Sequence, residues 1–120
     1  LTSLKFDKAF HDFGDVKADT DVFTTFTVTN TGNRPLVIEN VSASCGCTTP
    51  EWDRKPIAPG ATARIKVGYN AAAEGYFDKP ITITYNGITR QLSVKGSVWK
   101  VPAGPAPANA SVQFLKQKTL

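Results

Sequence analysis

Methionine is absent from the 120 residues, histidine occurs once and cysteine twice. One histidine excludes a histidine-rich metal cage, and a Ser-His-Asp triad would have to be built on His11 alone. Two cysteines one residue apart, Cys45 and Cys47, exclude a disulfide-rich scaffold, whose bridges join distant segments. The fold must therefore rest on its apolar core. No apolar run is long enough to span a bilayer, and no segment sustains the 3.6-residue apolar period of an amphipathic helix. The chain holds no Gly-x-Ser-x-Gly, no phosphate-binding loop, no dinucleotide fingerprint and no His-Glu-x-x-His, so a non-enzyme is expected. After Asp78 there is no acid, while Lys79, Arg90, Lys95, Lys100, Lys116 and Lys118 follow, and the formal net charge is +4. These cations are single and spaced, without interleaved aromatics. They read as a solvated surface, and no nucleic-acid partner is expected. With Leu at position 1 and no Met, the chain reads as processed or trimmed, and a removed secretory signal fits that start.

What is present is strand. Hydrophobic residues make up 41% and charged residues 20%, the composition of one globular domain. In "VFTTFTVTN" (22–30), Val22, Thr24, Phe26 and Val28 share one face, and β-branched and aromatic residues fill the pleat. "NTGNRP" (30–35) and "PIAPG" (56–60) are turn clusters. Over 36–45, Leu36 and Ile38 lie on one parity while Val41, Ala43 and Cys45 lie on the other. That phase change near Glu39–Asn40 predicts a β-bulge or a strand that switches sheets. "ATARIKVGY" (61–69) turns Ala63, Ile65, Val67 and Tyr69 inward. "NAAAEGYFDKP" (70–80) reads as a loop with one helical turn near 71–74. Asn86-Gly87 then joins "ITITY" (81–85) to a strand from Ile88 to about Trp99 as a tight hairpin. Six or seven short strands with regular turns predict an all-β fold, an immunoglobulin-like two-sheet antiparallel β-sandwich over residues 1–100. A Pro/Ala-rich linker and strand-like tail (101–120) follow. There, Ser111-Val112-Gln113-Phe114-Leu115-Lys116 echoes Ser3-Leu4-Lys5-Phe6-Asp7-Lys8, and the tail is expected to add a strand to an exposed sheet edge.

Chemistry concentrates in "SCGCTTPEW" (44–52). Ser44, Cys45, Gly46, Cys47, Thr48 and Trp52 are the candidate binding residues, with no catalytic residue among them. Gly46 would let the backbone bend so that the sulfurs approach. Three states of the cysteines are open: a Cys45–Cys47 disulfide, a soft metal such as Cu(I) or zinc on Cys45 and Cys47 with further ligands from His11 or a second chain, and plain buried thiols. Trp52 would cap the sandwich end over the cysteines. Asp12, Asp15, Asp19 and Asp21 lack the ligand spacing of a calcium loop and read as acidic turn residues.

"DFGDV" (12–16), "FTVTNTGNRPLVI" (26–38), "SCGCTTPEW" (44–52), "IAPG" (57–60), "GYF" (75–77) and "KGSV" (95–98), in this order, resemble the bacterial domain-of-unknown-function family 1573 over residues 4–100. That family is common in envelope proteins of Bacteroidetes. The resemblance implies an immunoglobulin-like fold, related to modules of cilium- and centrosome-associated proteins, and export to the periplasm or cell envelope, in some members as lipoproteins. It implies no activity and no catalytic residues. The expected function is a non-enzymatic extracytoplasmic binding or structural module without a cofactor, recruiting a protein partner by an edge strand or the tail, with no transmembrane segment. The alternative is a thiol-redox or copper-binding protein using Cys-Gly-Cys.

Overall fold

A computed structural model describes residues 3–100. The expected tail strand over 111–116 lies outside the described residues. Among the described residues eight strands form: β1 (Leu4–Phe6), β2 (Phe10–Lys17), β3 (Val22–Asn30), β4 (Ile38–Ala43), β5 (Thr48–Trp52), β6 (Thr62–Tyr69), β7 (Gly75–Tyr85) and β8 (Ile88–Trp99). They build two four-stranded sheets, in the orders β1-β3-β6-β5 and β2-β8-β7-β4. This is the two-sheet arrangement of an immunoglobulin-like sandwich, with its first strand divided between the sheets. All pairings are antiparallel except β2 with β8, which run parallel. The division explains the exception: after Phe6 the chain crosses to the other sheet and continues in the same direction alongside β8.

The alternating residues meet between the sheets. Phe26, Val28, Ile65 and Val67 from one sheet, and Ile38, Ile81, Ile83 and Val94 from the other, are fully buried. The phase change in the fourth strand is a register irregularity between Ile38 and Asn40 against β7. It returns Val41 to the core, while Leu36 pairs outside the strand with Ile57. Asn86 (φ 50°) and Gly87 (φ 71°) make the hairpin turn that closes Tyr85 on Ile88.

Two expectations are corrected. No helical turn forms at 71–74. Ala71 adopts φ 53°, and the Asn70 side chain accepts a hydrogen bond from the Ala72 N–H at 3.1 Å, which diverts the chain from helix. Nor is 75–80 a loop: Gly75–Pro80 pairs with Ser93–Val98. Pro80 is tolerated there for a reason of register. The Ser93 N–H points away from β7 to the Ala9 carbonyl, so Pro80 and Ser93 form a non-hydrogen-bonded pair. The proline nitrogen thus faces the β4 side, where the ladder has ended at Ala43↔Ile81.

"DFGDV" and "KGSV" meet across β2 and β8. The ladder is irregular between Asp12 and Asp15, Gly14 has φ 71°, and its N–H donates to Asp12 Oδ1 at 2.8 Å. The Gly14 carbonyl and the Phe77 ring crowd Gly96 so closely that a Cβ there would lie 2.9 Å and 3.0 Å from them.

"NTG" and "IAPG" also meet. Asn30 is 0% exposed, yet its amide is satisfied: Nδ2 donates to the Arg34 and Ile57 carbonyls at 2.7 Å each, and Oδ1 accepts from the Gly32 N–H at 2.9 Å. Its backbone N–H donates to the Ala61 carbonyl, and its carbonyl accepts from the Gly60 N–H. Gly60 (φ 80°) follows Pro59 in a turn closed by the Ala61 N–H on the Ala58 carbonyl at 2.9 Å, the type II arrangement with Pro and Gly at the positions that favour them. Next door, the Thr31 N–H donates to the Ser3 carbonyl, and the two hydroxyls hydrogen-bond, holding β1.

Asn30→Leu keeps the volume but strands two carbonyls and an N–H in the interior. It should cost about 3 kcal/mol in urea unfolding. Asn30→Asp, which points a carboxylate at two carbonyl oxygens, should cost more at neutral pH. A loss below about 1 kcal/mol for both would contradict this role for the amide.

Candidate functional site

Cys45 and Cys47 lie on the connection between β4 and β5 and are joined as a disulfide, with Cα atoms 5.3 Å apart. Of the three states left open by the residues, this structure holds the disulfide. In that form the sulfurs offer no thiolate to a soft metal. Among the described residues no group of three or more His, Cys, Asp and Glu side chains comes together as a metal site. The bridge closes a loop of only three residues. In the chain-entropy account such a loop contributes roughly 1.6 kcal/mol, against about 3 for fifteen residues, so the bridge is a weak staple.

The two cysteines are held differently. The Cys47 carbonyl accepts from the Asn70 N–H at 3.0 Å, which extends the β5–β6 pairing, whereas Cys45 lies on the bend before it. The Cys47 N–H donates to Cys45 Sγ at 3.1 Å. The Thr48 N–H donates to the Cys45 carbonyl at 3.2 Å, and Thr48 Oγ1 is 3.9 Å from Cys47 Sγ. Thr48 is buried; Ser44 and Gly46 are exposed, and both cysteines are half-buried.

Gly46 does not play the expected part. Its φ lies outside the left-handed region, and a Cβ there would meet nothing within 4 Å among the described residues. Trp52 is separated from the cysteines as well. The ladder sets Thr48 against Tyr69 and Trp52 against Ile65, so about 13 Å of strand lies between Thr48 and Trp52. Trp52 packs half-buried on the core with Arg54 over its ring at 5.0 Å, and its buried indole N–H has no partner among the described residues.

Beside the disulfide is a cleft of 240 Å³ lined by Asp21, Phe23, Gly46, Cys47, Thr49, Gly68, Tyr69 and Asn70. Its floor follows from one residue. Phe23, Gly68 and Thr49 stand in register across β3, β6 and β5, and glycine at the centre leaves the space. A Cβ on Gly68 would lie 2.9 Å from Phe23 Cε1 and 2.9 Å from Thr49 Oγ1. Lys66 Nζ is 4.7 Å from the centroid of the Phe23 ring. Asp21, Phe23 and Gly68 escape a reading of the sequence because only the strand register brings them to the cysteines. The one available signal was Phe23, a large apolar residue on the outward parity of its strand.

His11 is not part of this cleft. It stacks edge-on with Phe13 at 4.7 Å, and Lys8 Nζ is 3.4 Å from its Nδ1. Burial and then the Lys8 charge lower its pKa below the usual 6.5, against the opposing pull of Asp12. Tyr69 stacks on Phe77 at 3.9 Å, and burial raises its pKa above 10, so its phenol stays protonated.

A family model described as "Protein of unknown function (DUF1573)" matches residues 4–98, and the chain belongs to that family. No curated protein matches it. Among solved structures it is similar to a protein of unknown function from Porphyromonas gingivalis W83, with 19% identity, a TM-score of 0.71, and coverage of 80% of this chain and 46% of that one. The chain thus spans less than half the length of that neighbour. The ASH/PapD-like domain 7 of human CEP192 is similar at 6% identity and a TM-score of 0.71, over 82% of this chain and 87% of that one. The YadV chaperone is similar at 13% identity and a TM-score of 0.59, over 88% of this chain and 56% of that one. At these identities the likeness concerns the fold.

Gly46→Ala should change stability by no more than about 0.5 kcal/mol, or raise it, because the new methyl meets open space and the unfolded chain loses freedom. Gly68→Ala should cost about 1–3 kcal/mol as Phe23 and Thr49 are pushed aside. Thermal unfolding of the two variants checks this, and equal effects would contradict the cleft floor described here.

Proposed function

We propose that this member of the family is a non-enzymatic, extracytoplasmic module that binds another protein through the outer face of the β2-β8-β7 sheet. The observation that carries this reading is a pair of exposed aromatics, Tyr76 (69% exposed) and Trp99 (47%). Tyr76 is in register with Ser97, two residues before Trp99 on β8, so the two rings are diagonal neighbours on one face. Farther along, Phe10 stands beside Lys95, whose Nζ is 4.1 Å from its ring centroid. Between them Asp12, Lys95 and Asp78 form a cross-strand row. Aromatic anchors beside an ordered charge pattern are what protein interfaces are built on.

Edge-strand recruitment has less support. Each of the four edges is interrupted: β1 has three residues, β2 and β4 carry irregular register, and β5 contains Pro50. Such interruptions discourage strand addition. That the YadV chaperone has a similar sandwich supports a protein-binding use of this fold. The disulfide supports an oxidising compartment, hence the periplasm or cell envelope. Among the described residues no helix is long and apolar enough to cross a membrane.

A photoreactive residue placed at Tyr76 in living cells tests the proposal, with Thr25 on the other sheet's outer face as control. The expected outcome is a defined protein adduct at position 76 in the envelope fraction, absent at 25 and lost when Trp99→Ser is added. A cytoplasmic location, or equal labelling at both positions, would contradict it.

A further inference from the structure

We propose that the Cys45–Cys47 disulfide is a thiol–disulfide exchange site, in which a dithiol partner attacks Cys47 Sγ from the cleft and Cys45 leaves as the thiolate. Four observations converge on it. The bridge spans three residues, so it contributes little to holding the fold, and its half-buried cysteines lie at the end of the sandwich. Cys47, which packs partly on the core, lines the 240 Å³ cleft and Cys45 does not, so the cleft is an approach to the bridge from the Cys47 side. The Cys47 N–H at 3.1 Å from Cys45 Sγ is a donor already aimed at the sulfur that would take the negative charge. Cys47 is also tied to β6 through Asn70, whereas Cys45 lies on a bend and is held only within its own turn, by the Thr48 N–H on its carbonyl, so opening the bridge frees the Cys45 side chain and leaves the attacked sulfur in place.

The chemistry balances without a further reagent. The partner's first thiolate forms a bond to Cys47 Sγ; the S–S bond breaks, and its electron pair goes to Cys45 Sγ. The partner's second thiolate then attacks its own sulfur in the mixed disulfide, and the Cys47 thiolate departs. The partner's two thiols lose two electrons and two protons; Cys45 and Cys47 end as thiols. Each oxidised chain delivers one disulfide. The cleft also sets a preference among partners. Asp21 on its wall repels a thiolate flanked by acids and favours one flanked by Lys or Arg, and Phe23 offers an apolar contact to the neighbouring side chain.

Two measurements on the intact oxidised chain decide the matter. First, reaction with reduced glutathione is quenched in acid, alkylated and mapped by fragmentation mass spectrometry. The glutathione adduct should be on Cys47 and the alkyl group on Cys45, by at least ten to one. Second, a reduced synthetic peptide with two cysteines flanked by arginine should be oxidised at least ten times faster by the chain than by an isolated 43–49 peptide carrying the same bridge. Asp21→Asn, at an exposed position, should shrink the preference for the arginine-flanked peptide over a glutamate-flanked one while leaving the melting temperature unchanged. Adducts spread evenly over both sulfurs, or a folded chain no faster than the isolated peptide, would overturn the proposal.

Discussion

A buried amide that must find three hydrogen-bond partners organises one end of this sandwich. Asn30 ends β3 in a place with no access to water, where an unpaired amide would cost more than most core contacts return. The partners come from the turn at 32–34 and from Ile57, while its backbone groups take Gly60 and Ala61. Two connections distant in sequence are thereby fixed to one strand end. Leu36 and Ile57 pair beside it and close the core. Through Thr31 the same corner holds β1, whose position decides where the chain crosses to the other sheet and so aligns β2 parallel to β8.

At other points the packing depends on missing side chains. Gly96 lets the irregular part of β2 approach β8 closely enough for the Gly14 carbonyl and Phe77 to fill the space. Gly68 does the reverse on the outer face: Phe23 leans over it from one side and Thr49 from the other, and the remaining space is the cleft beside Cys47. The same residue type closes the core in one sheet and opens a surface feature in the other. The difference lies in what stands opposite, buried ring and backbone in one case and an exposed ring in the other.

Much of the fold was legible from alternation. Phe26, Val28, Ile65, Val67, Ile83, Leu92 and Val94 face inward as their parity requires, and the parity break at Glu39–Asn40 is a real irregularity of the ladder. The Asn86-Gly87 turn was legible because few residues accept two positive φ angles in succession. Gly75–Pro80 was not, since Gly and Pro are ordinarily loop formers and only the register with Ser93–Val98 makes them acceptable in a strand. The parallel β2–β8 pair depends on a sheet crossing, which leaves no local signal. At the candidate site the spacing singled out Cys45 and Cys47 but left disulfide, metal and free thiols open, and the structure supplies the disulfide; Trp52 was misplaced. Four residues along a strand are near in sequence and far in space, and β5 carries Trp52 toward Ile65.

Native-state hydrogen exchange tests the central place of Asn30 most directly. The amides of Gly32, Leu36, Ile57 and Gly60 lie in or beside turns, where local opening would ordinarily expose them early. If Asn30 binds these connections to the core, the four amides exchange only through global unfolding, with the same protection free energy as Ile65 and Val67 in β6. Exchange of Gly32 and Gly60 at the rates of ordinary surface turns, while Ile65 and Val67 stay protected, would show that the corner opens independently and that the sandwich does not depend on it.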